Sequence, residues 1–435
     1  MTAMAAPASV KRAAAVTLLL VTGIAAATGL TFLSMELPRF GIGAAAAAAF
    51  VVLCWLAPAA ALGLIFFAAP FQQDVGGLAV AKMGPSELGL ALAFPVFLIK
   101  NLVMKRRVLP GPLTLPVALY LAFCGLSSYN TWRGEVAVIS LLQMGLYFFV
   151  ATALFSGLAP RSRQLLWIPY VAAAAGAVFA LAAIATGFNL MGLHKNGIGS
   201  SLCMFTVISV EMWLAESRPL LRKALAGAVA LPGGALILSL SRGSWLGAVA
   251  GVGVILLMRG MRRQLWRLGL LMVPAIAAAW LALPQEKREY ALGFERTRFN
   301  IEARYRSFEF AKEQWLSSPF WGVGVGLRKQ YDATNVMMLT LAETGVPGLA
   351  AFVAVHAAFF AAMLRVRRHV PPDDRTYSLL VLGMALLAAK LMHGMVDHYW
   401  SRGPIVMAWA GVGMSLSVYY SIRQRRGETA LRRAA

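Results

Sequence analysis

Long apolar runs separated by short polar breaks dominate the chain. They fall at 13–33, 41–56, 59–70, 86–104, 112–128, 134–157, 164–186, 197–215, 224–240, 243–258, 268–284, 346–364, 376–396 and 403–420. Most approach the roughly 17–25 residues that cross a hydrocarbon core as an α-helix. In lipid every backbone N–H and C=O must be satisfied internally, so the pattern predicts an all-α polytopic membrane protein of about 12–14 transmembrane helices. Pro58 either divides a hairpin over 41–70 or kinks a single helix. One passage breaks the pattern: residues 285–345 form a long polar, Arg-rich and Gly-rich loop with amphipathic helical stretches. The chain therefore reads as a single integral membrane domain, 1–435, with one large loop outside the bilayer.

Composition agrees: 59% of residues are hydrophobic and 13% charged, with a mean hydropathy of +0.69, which excludes a soluble domain with a polar shell. The formal charge of +22 raises nucleic acid as a partner, but the Lys and Arg residues sit in short clusters between apolar runs. Alternate connections hold clusters such as Lys105–Arg107, Arg259–Arg263, Arg365–Arg368 and Arg423–Arg426. The others hold only Arg39, Lys82, Arg133, Lys195, Arg242 and Arg402. An imbalance of that size is the positive-inside signature and argues against nucleic acid. It predicts both termini in the cytoplasm and the 285–345 loop on the far side. The first run follows Lys11 and Arg12 and has small residues at Ala25 to Ala27, as a signal peptide does, but its length favours an uncleaved helix. Cys54, Cys124 and Cys203 lie singly in apolar runs and read as core residues.

The polar loop and its neighbours hold the candidate chemistry. Arg304, Phe308, Ala311 and Trp315 follow helical spacing and share a face, which turns Arg304 toward the apolar side while Arg306 points elsewhere. An inward Arg calls for an anion, either a substrate or one of the loop's glutamates. Pro319 ends that helix, and Gly322, Gly324 and Gly326 follow. This GVGVG follows no strand, so it is packing or a turn more readily than a phosphate cradle. A short helix is predicted from Asn335 to Glu343, stopped by Gly345, with Pro347 opening the next span.

Three other polar groups fall at apolar boundaries on the same predicted side: His194-Lys195-Asn196, Ser241-Arg242-Gly243, and His393 to Asp397. His393 and Asp397 are four apart, so the carboxylate can orient the imidazole; a plain helix-end pair is the alternative. His194 and Lys195 suit either an anion or the membrane interface. Glu211 and Lys390 lie inside predicted spans, where charge is costly, each near enough to an end to snorkel. Trp315, Trp321, Tyr331, Tyr399 and Trp400 suit sugar stacking and interfacial anchoring equally. There is no HExxH, no metal-type carboxylate cluster and no P-loop.

R-x3-F at Arg304, then PFWGVGVG, then N-x7-E-T-G-x2-G-L from Asn335, resembles the O-antigen ligase and polymerase family of membrane glycosyltransferases. The S-R-G and H-K-N elements agree, and the likeness covers roughly 190–400. It implies an undecaprenyl-diphosphate-linked oligosaccharide donor, a glycan or lipid acceptor, other polysaccharide-assembly proteins as partners, and no cofactor or metal. The setting it implies is the periplasmic face of a bacterial inner membrane. Arg242 and Arg304 match the family arginines that stabilise the leaving diphosphate. With Asn335, His393 and Asp397 they form the catalytic candidates. His194, Lys195, Asn196, Arg306, Trp315, Gly324, Tyr331, Thr334 and Arg402 are the substrate-binding candidates. The family has His before the outer-helix Asn; here it is Thr334, a poor general base at neutral pH. Either the acceptor needs little base help, or His393, Asp397 or His398 serves, or activity is altered. That departure places polymerase ahead of ligase, with a lipid-linked glycan transporter or a non-catalytic assembly subunit as readings of another class.

Overall fold

A computed structural model describes residues 38–71, 84–104, 111–131, 134–157, 159–190, 193, 195–263, 285, 294–327, 335–400 and 403–434. The predicted spans 13–33 and 268–284 lie outside them, as do His194, Tyr331, Thr334 and Arg402. The described residues contain helices and no strand. In chain order they are α1 (Pro38–Leu56), α2 (Pro58–Ala68), α3 (Pro85–Val103), α4 (Thr114–Ser127), α5 (Gly134–Ser156, with a π-helical turn at Leu146–Val150) and α6 (Trp167–Ala185). There follow α7 (Lys195–Ala215), α8 (Pro219–Leu238), α9 (Arg242–Met258), α10 (Phe294–Ser317), α11 (Val336–Arg367), α12 (Thr376–Gly394) and α13 (Pro404–Ala434).

Among the described residues eight helices are long and apolar enough to cross a membrane, and 43–56, 58–68 and α9 are shorter apolar helices. The chain is an all-α multi-pass membrane protein. At the doubtful 41–70 stretch Ala57 alone interrupts the helix, and Pro58 takes the first helical position of α2, where its missing N–H costs nothing.

Burial separates a centre from a periphery. The apolar windows of α7, α12 and α13 are 78%, 83% and 78% buried, against 33% for α3 and 28% for α8. In lipid, helices associate through close packing of small residues, and α12 shows how. A Cβ added at Gly383 would lie 2.4 Å from the Gly411 carbonyl of α13, and one at Gly247 would lie 2.8 Å from the Ala389 carbonyl. α9, α12 and α13 therefore meet nearly backbone to backbone. This fixes the start of α9 against the end of α12, where the candidate chemistry lies.

Glu211 and Lys390 do not snorkel; both are fully buried. Glu211 accepts from Arg259 Nε at 2.9 Å, tying α7 to the end of α9, and Arg259 also donates to Ser378 Oγ of α12 at 3.1 Å. Lys390 Nζ donates to the His398 carbonyl at 2.9 Å. Each charge finds its partner inside the bundle, which is cheaper than a long side chain bent toward water past a tightly packed neighbour. The three cysteines are buried and unpaired.

Candidate functional site

The predicted amphipathic helix forms as α10. Ser307 and Ala311 are buried and Arg304 and Trp315 half-buried, but Phe308, expected on the same face, is 38% exposed; Arg306 faces outward, 3.5 Å from Glu302 on the same helix. The inward Arg304 meets an anion within the protein. Its Nη2 lies 3.7 Å from Asp397 Oδ2, with the Arg304 side chain 41% exposed and Asp397 5% exposed. One face of Arg304 is thus anchored while the other stays open.

Asp397 is the centre of the arrangement. Its Oδ1 accepts the His398 backbone N–H at 2.8 Å, and His398 Nε2 stands 3.7 Å from the same oxygen. His393 Nε2 is 4.0 Å from Oδ2. Burial pushes the Asp397 carboxyl up, but His393, His398 and its backbone N–H, and Arg304 together outweigh this and hold it below the usual 3.8. The carboxylate therefore stays ionised and presents Arg304 as a fixed charge.

The two imidazoles differ in access. His393 is 3% exposed, with no hydrogen-bond partner for either ring nitrogen among the described residues, whereas His398 is 35% exposed. The i, i+4 pair expected from spacing exists, yet the imidazole that a substrate can reach is the one next to Asp397 in sequence. Tyr399 and Trp400, expected as outward aromatics, are buried. Tyr399 donates to or accepts from His356 Nε2 at 2.9 Å, and Trp400 packs edge-on to it, so both form the floor beneath Asp397. Trp321 is exposed, paired edge-on with Phe320, and Trp315 Nε1 donates to the Pro319 carbonyl at 3.3 Å.

The S-R-G element adjoins this cluster. A Cβ on Gly243 would meet Val396 at 3.0 Å and His393 Cδ2 at 3.4 Å, so the first turn of α9 lies tightly against 393–397. Arg242, the preceding residue, is exposed at the start of that helix. Lys195 and Asn196 open α7, and one turn along a Cβ on Gly199 would lie 2.6 Å from Ser241. Two helix N-termini with basic residues thus converge beside Asp397. This suits an anion, because unsatisfied N–H groups and the helix dipole both favour negative charge there.

Asn335 is employed as a clamp. Its Oδ1 accepts the Met338 N–H at 3.0 Å, capping α11, and its Nδ2 donates to the Met395 carbonyl at 3.0 Å. Gly345 breaks α11 as expected, with φ 66 and ψ −170. The GVGVG strap runs along this break: Val323 N–H donates to Ala342 O, Gly324 N–H to Glu343 O and Gly326 N–H to the buried Glu343 Oε1. Gly324 faces Thr131, which an added Cβ would approach to 2.7 Å, so the space a phosphate would need is filled by protein. The strap positions α11; it does not cradle a ligand.

The structure thus brings Arg242, Arg304, Asn335, His393 and Asp397 together, with Lys195 and Asn196 close by. Arg306 and Gly324 lie apart. Glu343 and Lys390 support the site from within, and no sequence pattern pairs them with Gly326 or His398.

Residues 227–353 match the O-antigen ligase family (Wzy_C), a stretch that includes α9, α10 and the start of α11 and contains Arg242, Arg304 and Asn335. No curated protein matches the chain. The chain is a polytopic helical membrane protein with an O-antigen ligase region, which supports the O-antigen ligase and polymerase family and glycan transfer of that general type.

Proposed function

We propose that this protein polymerises a glycan carried on undecaprenyl diphosphate at the periplasmic face of a bacterial inner membrane. An acceptor hydroxyl attacks the anomeric carbon, a new glycosidic C–O bond forms, and the bond to the diphosphate oxygen breaks with its electron pair. Negative charge grows on the leaving diphosphate, where Arg304 and Arg242 stabilise it, worth more beside a partly dry helix end than in water. The hydroxyl proton passes to His398, a half-buried but accessible imidazole beside the Asp397 carboxylate, which takes the place of the family His that Thr334 replaces.

The observation that carries this reading is Arg304, held by the buried Asp397 with its other face open, beside the start of α9. Asp397 follows the end of α12 and Arg242 opens α9, whereas alternating access places substrate near the bilayer midplane, which argues for transfer over transport. Transfer of finished glycan to a lipid acceptor uses the same residues and is the second reading. The test is purified protein in proteoliposomes with the lipid-linked repeat unit and no other acceptor. Growth of a ladder of glycan lengths supports polymerase; no ladder until a lipid acceptor is added supports ligase; neither product sinks the transferase reading.

A further inference from the structure

The helices that build this site carry a second feature at their opposite ends. α9 begins at Arg242 and ends at Met258; α11 begins at Asn335's cap and ends at Arg367; α12 ends near His393 and begins at Thr376. At roughly 1.5 Å per residue, α9 alone spans about 25 Å, so its far end lies across the bilayer from Asp397. There the ends of α9 and α11 and the start of α12 border an open pocket of about 510 Å³, lined among others by Arg259, Gly260, Arg367, Arg368, His369 and Tyr377. Among the described residues no Asp or Glu lines it.

Its floor is prebuilt. Arg259 is committed to Glu211 and Ser378, and Tyr377 donates its hydroxyl to the Met258 carbonyl at 2.6 Å. Arg259 is therefore neutralised. Arg367 reaches Met258 Sδ at 3.6 Å, and among the described residues neither Arg367 nor Arg368 has a carboxylate at ion-pair distance. Asp374, on the linker below, accepts from Thr376 N–H and Oγ and caps α12. Among the described residues the pocket thus offers two guanidinium groups without a carboxylate partner, above a floor tied together by Arg259 and Tyr377.

What fills it is indicated by the surface one turn deeper. Leu364 precedes Arg367 by three residues and Arg368 by four, so it shares a face of α11 with the lining arginines, and Leu257 lies in the last turn of α9. Both are large apolar side chains, 47% and 49% exposed on the membrane-crossing part of their helices. Basic groups at the membrane surface above exposed apolar stripes match a phosphate headgroup with its acyl chains below. The geometry points to a binding site for an anionic phospholipid of the cytoplasmic leaflet, its phosphate between Arg367 and Arg368 and its chains along Leu257 and Leu364. The leaflet follows from the charge asymmetry of the connections.

The test uses the full chain in nanodiscs of mixed phosphatidylcholine and phosphatidylglycerol, with lipid retained after gentle release counted by native mass spectrometry. Wild type retains phosphatidylglycerol preferentially. R367Q/R368Q loses that preference about 30-fold, the worth of two headgroup-facing charges. R262Q/R263Q, which removes equal charge from exposed positions outside the cavity, keeps it within about twofold. R368Q alone, at the surface and harmless to folding, gives an intermediate loss. Equal losses in both double variants, or no preference in wild type, overturn the site. Inorganic phosphate shielding Arg367 and Arg368 from an arginine reagent in lipid-free detergent as well as phosphatidylglycerol does would overturn the lipid assignment.

Discussion

If Asp397 acts by holding Arg304, the two residues form one unit, and this can be measured. Asp397→Asn keeps an oxygen to accept the His398 N–H but removes the charge; Arg304→Gln removes the other. At 3.7 Å the attraction is roughly 4.5 kcal/mol at an effective dielectric of 20 and roughly 1 kcal/mol in bulk water. Arg304 is 41% exposed, so screening pulls the value toward the lower limit, to about 1–2 kcal/mol. The assay is the initial rate of glycan transfer in proteoliposomes for wild type, both single variants and the double variant. The coupling predicts a double variant about 5–30-fold faster than the product of the two single losses implies. Losses that simply multiply would refute the idea that Asp397 works through Arg304.

Other outcomes follow from the same contacts. His398→Gln should lower the transfer rate by about 100-fold or more while lowering the unfolding temperature only slightly, through the lost attraction to Asp397. Asp397 is held below 3.8, so its stabilising contribution is present above that pH and is lost as pH falls through the depressed value. The difference in unfolding temperature between wild type and Asp397→Asn, measured in detergent, should therefore be constant near neutrality and vanish in acid. Gly345→Ala places a Cβ 1.9 Å from the Phe320 carbonyl at a positive φ and should cost about 3 kcal/mol or more, read as a lowered unfolding temperature. Glu211→Gln strands Arg259 in the bundle and should cost about 3–5 kcal/mol, whereas Glu211→Met with Arg259→Met should recover most of it.

Much of this was legible in the residues because local physics decided it. Helix spacing turned Arg304 inward and Arg306 outward, and both lie so. Gly345 and Pro347 marked the break in α11, since a left-handed residue and a missing N–H interrupt a helix wherever they occur. The glycine-rich run was recognisable as packing, though not what it packs against. What stayed hidden was long-range. Nothing in a sequence pairs Glu211 with Arg259, Gly326 with Glu343, or Lys390 with the His398 carbonyl. The two imidazoles shared a similar neighbourhood in sequence, and only burial separates the enclosed His393 from the accessible His398. Tyr399 and Trp400 suited interfacial anchoring or sugar stacking because they follow a span, but the chain turns inward there and buries Tyr399 against His356 and Trp400 against Phe148 and Phe352.

The most direct measurement compares Arg304→Ala with Arg306→Ala in proteoliposomes supplied with the lipid-linked repeat unit. The residues stand two apart on one helix, carry the same charge, and differ only in the way they face. Loss of transfer by about 100-fold or more in Arg304→Ala, with Arg306→Ala within about twofold of wild type, is the result predicted for a charge that stabilises the leaving diphosphate. Equal activity in the two variants would contradict it and remove Arg304 from the chemistry.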